Sequence, residues 1–218
     1  MKPIVVKLGG SVLTGPGDAG AIVDILSSYE SPLVVVVSAL KGVTDRLIAA
    51  RDGAATRCAA PAASQPPEEF VEELKRLHVS FAEAFRPPEP ARSLALARLS
   101  ELAVELLVLL EGSGGADRRA RIASFGERLA APCVVAALAA MGRPAEVLEP
   151  GRVGLRAVGP EDDAQADIAA SAWAVFRALG GREAAVVPGF YGVGADGLAR
   201  LFGRGGSDYS AAAIAACL

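Results

Sequence analysis

Residues 32–45 read PLVVVVSALKGVTD. A proline opens the run, Leu33 to Val37 are all aliphatic, and Ser38 ends it shortly before Gly42. Branched side chains favour extended backbone, and an unbroken apolar run, rather than an alternating one, is what a strand buried on both faces requires. Three more runs share this form: PIVVKL (3–8), AEVLEP (145–150) and EAAVVPG (183–189). Each is bounded by Gly, Pro or Ser, and helical patterns lie between them. The expected fold is α/β, with parallel strands joined by crossover helices.

Between the second and third runs, PPEEFVEELKRLHVSFAEAF (66–85) begins with prolines and acidic residues, as helix starts do, and then repeats apolar residues at three- and four-residue spacing. After the breaker RPPEP, Leu94, Leu96, Leu99, Leu102, Leu106 and Leu110 continue the period. This predicts a helical insert over about 66–113, its leucine stripe turned into the core. AAPAASQPP (59–67) reads as a mobile surface loop. GFYGVGADGLARLFG (189–203) alternates glycine with apolar residues around an Asp-Gly turn and predicts a β-hairpin.

The chain has 218 residues, 52% hydrophobic and 22% charged, with a formal net charge of -3. Such a balance suits a globular core and supplies no positive field for nucleic acid or anionic membrane. Apolar runs such as PLVVVVSAL fall well short of the roughly 20 residues of a membrane helix. The N-terminal MKPIVVKLGGSVL suits a first strand better than a signal peptide. A cytoplasmic protein without nucleic-acid or membrane partners is expected. Cys58, Cys133 and Cys217 are widely spaced and His78 is the sole histidine, so inert thiols are expected and no metal site.

Four constellations carry candidate chemistry. KLGGS (7–11) places Lys7 at a strand end beside Gly9, Gly10 and Ser11, where amides can approach a phosphate without Cβ interference. In SALKGVTD (38–45), Ser38 ends a buried strand while Thr44 and Asp45 lie at a helix start, either facing a crevice or capping the helix. SFGERLAAP (124–132) sets Glu127 and Arg128 early in an apolar helix. Glu127 has no basic residue four positions on, and it reads either as a surface charge or as a carboxylate for a substrate ammonium. GRGGSD (203–208) offers Arg204 as a planar fork for carboxylate or phosphate, Gly205 and Gly206 as bare amides, and Ser207 and Asp208 at a helix mouth that favours anions. Each of these groups follows a strand or opens a helix, so convergence on one crevice is expected.

KLGGS, VVVSALKGVTD, SFGERLAA, VPGFYG and above all LFGRGGSDYSAA, in this order, resemble aspartate kinases of the amino-acid kinase superfamily. The resemblance runs from Val5 to Leu218. It implies a three-layer α/β/α sandwich whose N-terminal lobe binds the amino acid, with ATP and Mg²⁺ as cofactors, L-aspartate as substrate and a homo-oligomeric assembly. The reaction it implies moves the ATP γ-phosphoryl to the β-carboxylate of L-aspartate. Lys7 would stabilise charge on the phosphoryl and Asp208 would orient Lys7. Arg204 would hold the α-carboxylate, Glu127 would lie near the ammonium, and Ser38, Thr44 and Ser207 would complete the pocket. Gly9, Gly10, Ser11, Gly205 and Gly206 would line the phosphates.

KLGGSVL departs from the KFGGTSV form of aspartate kinases towards that of uridylate, glutamate or isopentenyl phosphate kinases. A phosphotransferase with another acceptor therefore stays open, as does a non-catalytic module derived from the fold. In the family the chain continues into a TDVDGVYT-like segment and further motifs for the nucleotide, and regulatory ACT domains often follow. Residues 1–218 contain neither. The expectation is an amino-acid-binding lobe without its ATP-binding lobe, inactive by itself.

Overall fold

The computed structural model describes residues 2–30, 32–56, 65–112, 115 and 117–218. In chain order the elements are β1 (Ile4–Leu8), a 3-10 turn (Pro16–Asp18), α1 (Ala19–Ser27), β2 (Leu33–Val37), α2 (Val43–Thr56), α3 (Pro67–Ala84) and α4 (Ala91–Glu111). They continue as α5 (Arg118–Ala140), β3 (Glu146–Val147), α6 (Pro150–Val153), β4 (Ala157–Val158), β5 (Gln165–Ala166), α7 (Ile168–Leu179), β6 (Ala184–Pro188), β7 (Tyr191–Val193), β8 (Ala199–Leu201) and α8 (Gly206–Cys217). The stretch 57–64, which holds Cys58 and most of the expected 59–67 loop, lies outside the described residues.

β1, β2, β6 and β3 stand in that order in one parallel sheet. The unbroken run of β2 is explained by its two buried faces. Leu33, Val35 and Val37 join a core with α1 to α5, while Val34 and Val36 join a second core with α7 and α8. The result is a three-layer α/β/α sandwich. β7 and β8 form the antiparallel hairpin expected over 189–203, and β4 and β5 pair as a smaller one.

Three sequence expectations need correction. The run 145–150 is a strand only at Glu146–Val147, with one more ladder bond from the Leu148 amide to Val186 O, because Pro150 starts α6. The helix carrying Glu127 starts at Arg118, so Glu127 lies two turns inside it and does not open it. The Arg-rich start is held in place because Arg118 donates to the end carbonyls of α4, Leu109 and Leu110. Finally, Leu94 is 68% exposed, while Leu99, Leu102, Leu106 and Leu110 are buried. At about 100° per residue Leu94 sits roughly 140° around the helix from Leu99.

α5 is the central helix, packed against α2, α3, α4 and β6. By length and composition it would span a bilayer, a length of apolar helix that the strand-length runs did not suggest, yet most of it is buried inside the protein. Cys133 on α5 and Cys217 on α8 are buried free thiols, and burial pushes both thiols up. Leu106→Ala is expected to cost about 2–5 kcal/mol in urea unfolding, and Leu94→Ala less than about 0.5 kcal/mol. Equal losses would contradict this orientation of α4.

Candidate functional site

The carboxyl ends of β1, β2 and β6 lead into three loops at one end of the sheet, and α8 points its first turn at them. Backbone bonds set this junction: the Ser38 amide donates to Leu8 O and the Gly189 amide to Val37 O, both at 2.9 Å. Between the loops lies a cleft of about 820 Å³. Lys7, Gly10, Ser11, Ser38, Thr44, Glu127, Arg204, Gly205, Gly206, Ser207 and Asp208 all line it. The fold therefore gathers groups that are up to 200 residues apart, as the ends of parallel strands commonly do.

Gly9 does not line the cleft. A Cβ there would sit 2.6 Å from Lys7 Nζ, so its bare Cα leaves room for the lysine to fold back over the turn. Gly9 O also accepts from the Val12 and Leu13 amides, which closes that turn. Lys7 Nζ meets Asp208 Oδ1 at 3.0 Å. Asp208 is 70% exposed, so the pair adds little to stability and chiefly aims the ammonium. The cap of α8 is Gly205, at φ 75°, and Asp208 lies in the first helical turn. Arg204 is exposed at the lip and makes no ion pair among the described residues.

Glu127 is only 4% exposed. The Ser207 hydroxyl donates to its Oε1 at 3.4 Å, whereas buried Oε2 has no partner among the described residues. Burial pushes its carboxyl up to about 8, against the opposing pull of its own and the Ala39 backbone amides, Ser207 and the Lys7 charge. A carboxylate in this setting holds a proton until a cationic group arrives. The surface-charge reading of Glu127 is therefore wrong.

Two glycines escaped the sequence reading, although glycine inside a helix or after a strand signals close approach. A Cβ on Gly126 would meet Ala39 Cβ at 2.5 Å, so this glycine lets the 38–44 loop close onto α5. A Cβ on Gly189 would lie 2.9 Å from Ser207 Cβ, so that glycine admits the first turn of α8. Phe190 and Lys41, also unforeseen, line the cleft as well. Phe190 has φ 77°, a left-handed conformation uncommon for a bulky residue. Arg128, next to Glu127 in sequence, lies outside the cleft in a separate ion cluster.

What this arrangement offers is an anion seat and a cation seat in one crevice. Lys7, the Gly10, Gly205 and Gly206 backbone and the start of α8 suit phosphate or carboxylate. Glu127 suits an ammonium. Among the described residues no group of three or more His, Cys, Asp or Glu side chains could hold a metal ion.

The amino acid kinase family model matches residues 2–218. The chain belongs to the amino acid kinase family. Its similarities within that family point to aspartokinases: it is 29% identical to the aspartokinase of Chlamydia pneumoniae over 99% of its length. Solved structures agree in fold. E. coli aspartokinase III in complex with lysine and aspartate aligns with a TM-score of 0.79 at 24% identity, covering 98% of this chain and 46% of that one. The same enzyme with aspartate and ADP aligns at 0.75 and 24%, again over 98% and 46%. Clostridium acetobutylicum aspartate kinase aligns at 0.72 and 20%, over 100% and 45%. The chain spans about half the length of these relatives, 45% in the case of the Chlamydia protein.

The raised carboxyl of Glu127 gives a signed pH dependence. Below about 4.5 the folded and unfolded states both hold the proton. As pH rises towards about 8 only the unfolded state releases it, so stability falls by on the order of a few kcal/mol and then levels off. His78, held at about 4 by burial, adds the opposite slope below its ordinary 6.5, so the interval from about 6.5 to 8 isolates Glu127. Glu127→Gln is expected to flatten that interval in urea unfolding and to be the more stable form at pH 8. An unchanged slope would contradict the burial argument.

Proposed function

We propose that the cleft is the acceptor half of an aspartate kinase site, in which the γ-phosphoryl of ATP passes to the β-carboxylate of L-aspartate to give 4-phospho-L-aspartate. That product begins the route to lysine, threonine and methionine. The observation that carries the reading is the buried, half-partnered Glu127 carboxylate in the same cleft as the Lys7–Asp208 pair and exposed Arg204.

In this reading Glu127 takes the α-ammonium and Arg204 the α-carboxylate through its planar fork. Ser38, Thr44 and Ser207 close around the rest of the amino acid. The β-carboxylate is then left to face Lys7 and the glycine turns. An oxygen of that carboxylate forms a bond to the γ-phosphorus, the bond from phosphorus to the bridging oxygen breaks, and ADP leaves with the electron pair. The acceptor is ionised at neutral pH, so no general base is required. Lys7, aimed by Asp208, and the amides of Gly10, Gly205 and Gly206 stabilise charge on the transferring group. Mg²⁺ arriving with the nucleotide would offset the charge of its phosphates.

The adenosine end of ATP is assigned to a part of the architecture outside residues 1–218, since the relatives extend to about twice this length. The proposed reading also carries a cytoplasmic location and a homo-oligomeric assembly. The KLGGSVL turn keeps a different acceptor as the second reading, and competing ligands decide between the two.

Calorimetric titration of residues 1–218 is expected to show weak L-aspartate binding and no measurable binding of Mg-ATP. L-Glutamate and uridine monophosphate should bind more weakly than L-aspartate. Arg204→Ala should abolish aspartate binding. Unchanged affinity in that variant, or preference for either other acceptor, would overturn the assignment.

A further inference from the structure

Behind the cleft, Arg128 of α5 anchors a second, half-buried set of charges. Arg128 donates from Nη1 and Nη2 to the two Glu105 oxygens at 2.9 and 2.8 Å, and from Nε to Glu149 Oε1 at 3.2 Å. Its guanidinium lies over the Phe125 ring, 4.4 Å from the centroid. Glu149 Oε2 accepts a hydrogen bond from the Tyr191 hydroxyl. Burial first, then the Glu149 charge, push the Tyr191 phenol well up, so it remains a donor.

None of these residues lines the cleft. Arg128, Glu149 and Tyr191 line a different hollow of about 250 Å³. The Arg128 side chain is 12% exposed and those of Glu149 and Glu105 are 24% and 34%, so the pairs are only partly desolvated and contribute modestly to stability. What it does accomplish is geometric. It ties α5, which bears Glu127, to β7, whose first residue follows Phe190.

Phe190 is the pivot of the cleft wall. Its amide donates to Ser210 Oγ at 3.0 Å, its carbonyl accepts from the Phe202 amide at 2.8 Å, and a Cβ on Gly206 would sit 2.7 Å from its ring. The first turn of α8 thus rests directly on the Phe190 turn, and that first turn supplies Ser207 to Glu127 and Asp208 to Lys7. A left-handed bulky residue persists only where its surroundings over-determine it.

We infer that the Tyr191–Glu149–Arg128 network is a positioning device for the cleft: it fixes the Phe190 turn relative to α5 and so sets where the first turn of α8 stands against Glu127. Tyr191 and Arg128 are positioning residues here, acting through the Phe190 turn and touching no ligand. The consequence for ligand affinity rests on the acceptor-site reading above, whereas the consequence for the turn itself does not.

Tyr191→Phe keeps the ring and removes only the hydroxyl, and Arg128→Lys keeps the charge but loses the fork. Amide hydrogen exchange on the free protein is expected to accelerate at least tenfold at Phe190, Phe202 and Tyr209 in each variant, with α3 and α4 amides unchanged. L-Aspartate affinity, measured alongside, is expected to fall at least fivefold. Acceleration spread evenly over the protein, none at Phe190, or local acceleration with unchanged aspartate affinity would each overturn the inference. If the unsubstituted protein fails to bind aspartate, the acceptor reading falls, and the exchange pattern at Phe190 still decides the positioning role. Should Tyr191→Phe not fold, Arg128→Lys is read alone by the same criteria.

Discussion

A carboxylate stripped of water needs a proton, a cation or enough donors, and Glu127 finds only part of this within the fold. Ser207 and the Ala39 amide serve it, Lys7 acts from a distance, and Oε2 is left over. Keeping such a group buried is costly, and the surrounding structure is arranged to keep it buried. Gly126 lets the 38–44 loop close on one side, and Gly189 lets α8 close on the other. A side chain at either position would displace Ala39 or Ser207, the residues whose amide and hydroxyl serve the carboxylate.

The sheet explains why these closures meet at one place. β1, β2 and β6 are parallel and in register, so their carboxyl ends release three loops side by side. α8 returns across the second core with its amide end aimed at them. Anion-seeking groups thereby stand opposite the buried Glu127 carboxylate. The proposed acceptor, a zwitterion with an extra carboxylate, would present both kinds of charge to that pattern.

How much of this was legible in the sequence depends on whether the determinant is local. β2 and β6 are buried on both faces, and unbroken apolar runs announce it. The edge strand β3 has only two paired residues and is cut short by Pro150, so its apolar run overstated it. The start of α5 was hidden because ADRRARIA looks solvent-exposed, whereas Arg118 is used to finish α4. β4 and β5 are two residues each and leave no periodic trace. In the cleft, Lys7, Arg204 and the glycine turns were recognisable from residue type and motif. The burial of Glu127 was not, since the groups that cover it come from residues 39 and 207. The Arg128 cluster was invisible for the same reason: its partners lie 23 and 21 positions away or beyond.

Direct titration of the Glu127 side-chain carboxyl by carbon NMR tests the central claim, that this cleft withholds solvent from one carboxylate so that a ligand ammonium replaces its proton. In the free protein the midpoint should lie near 8. Saturation with L-aspartate should bring it down into the ordinary carboxylate range, and β-alanine amide, which lacks a carboxylate for Arg204, should do so only at far higher concentration. A free-protein midpoint near 4.5, or a raised midpoint that L-aspartate leaves unmoved, would contradict the account.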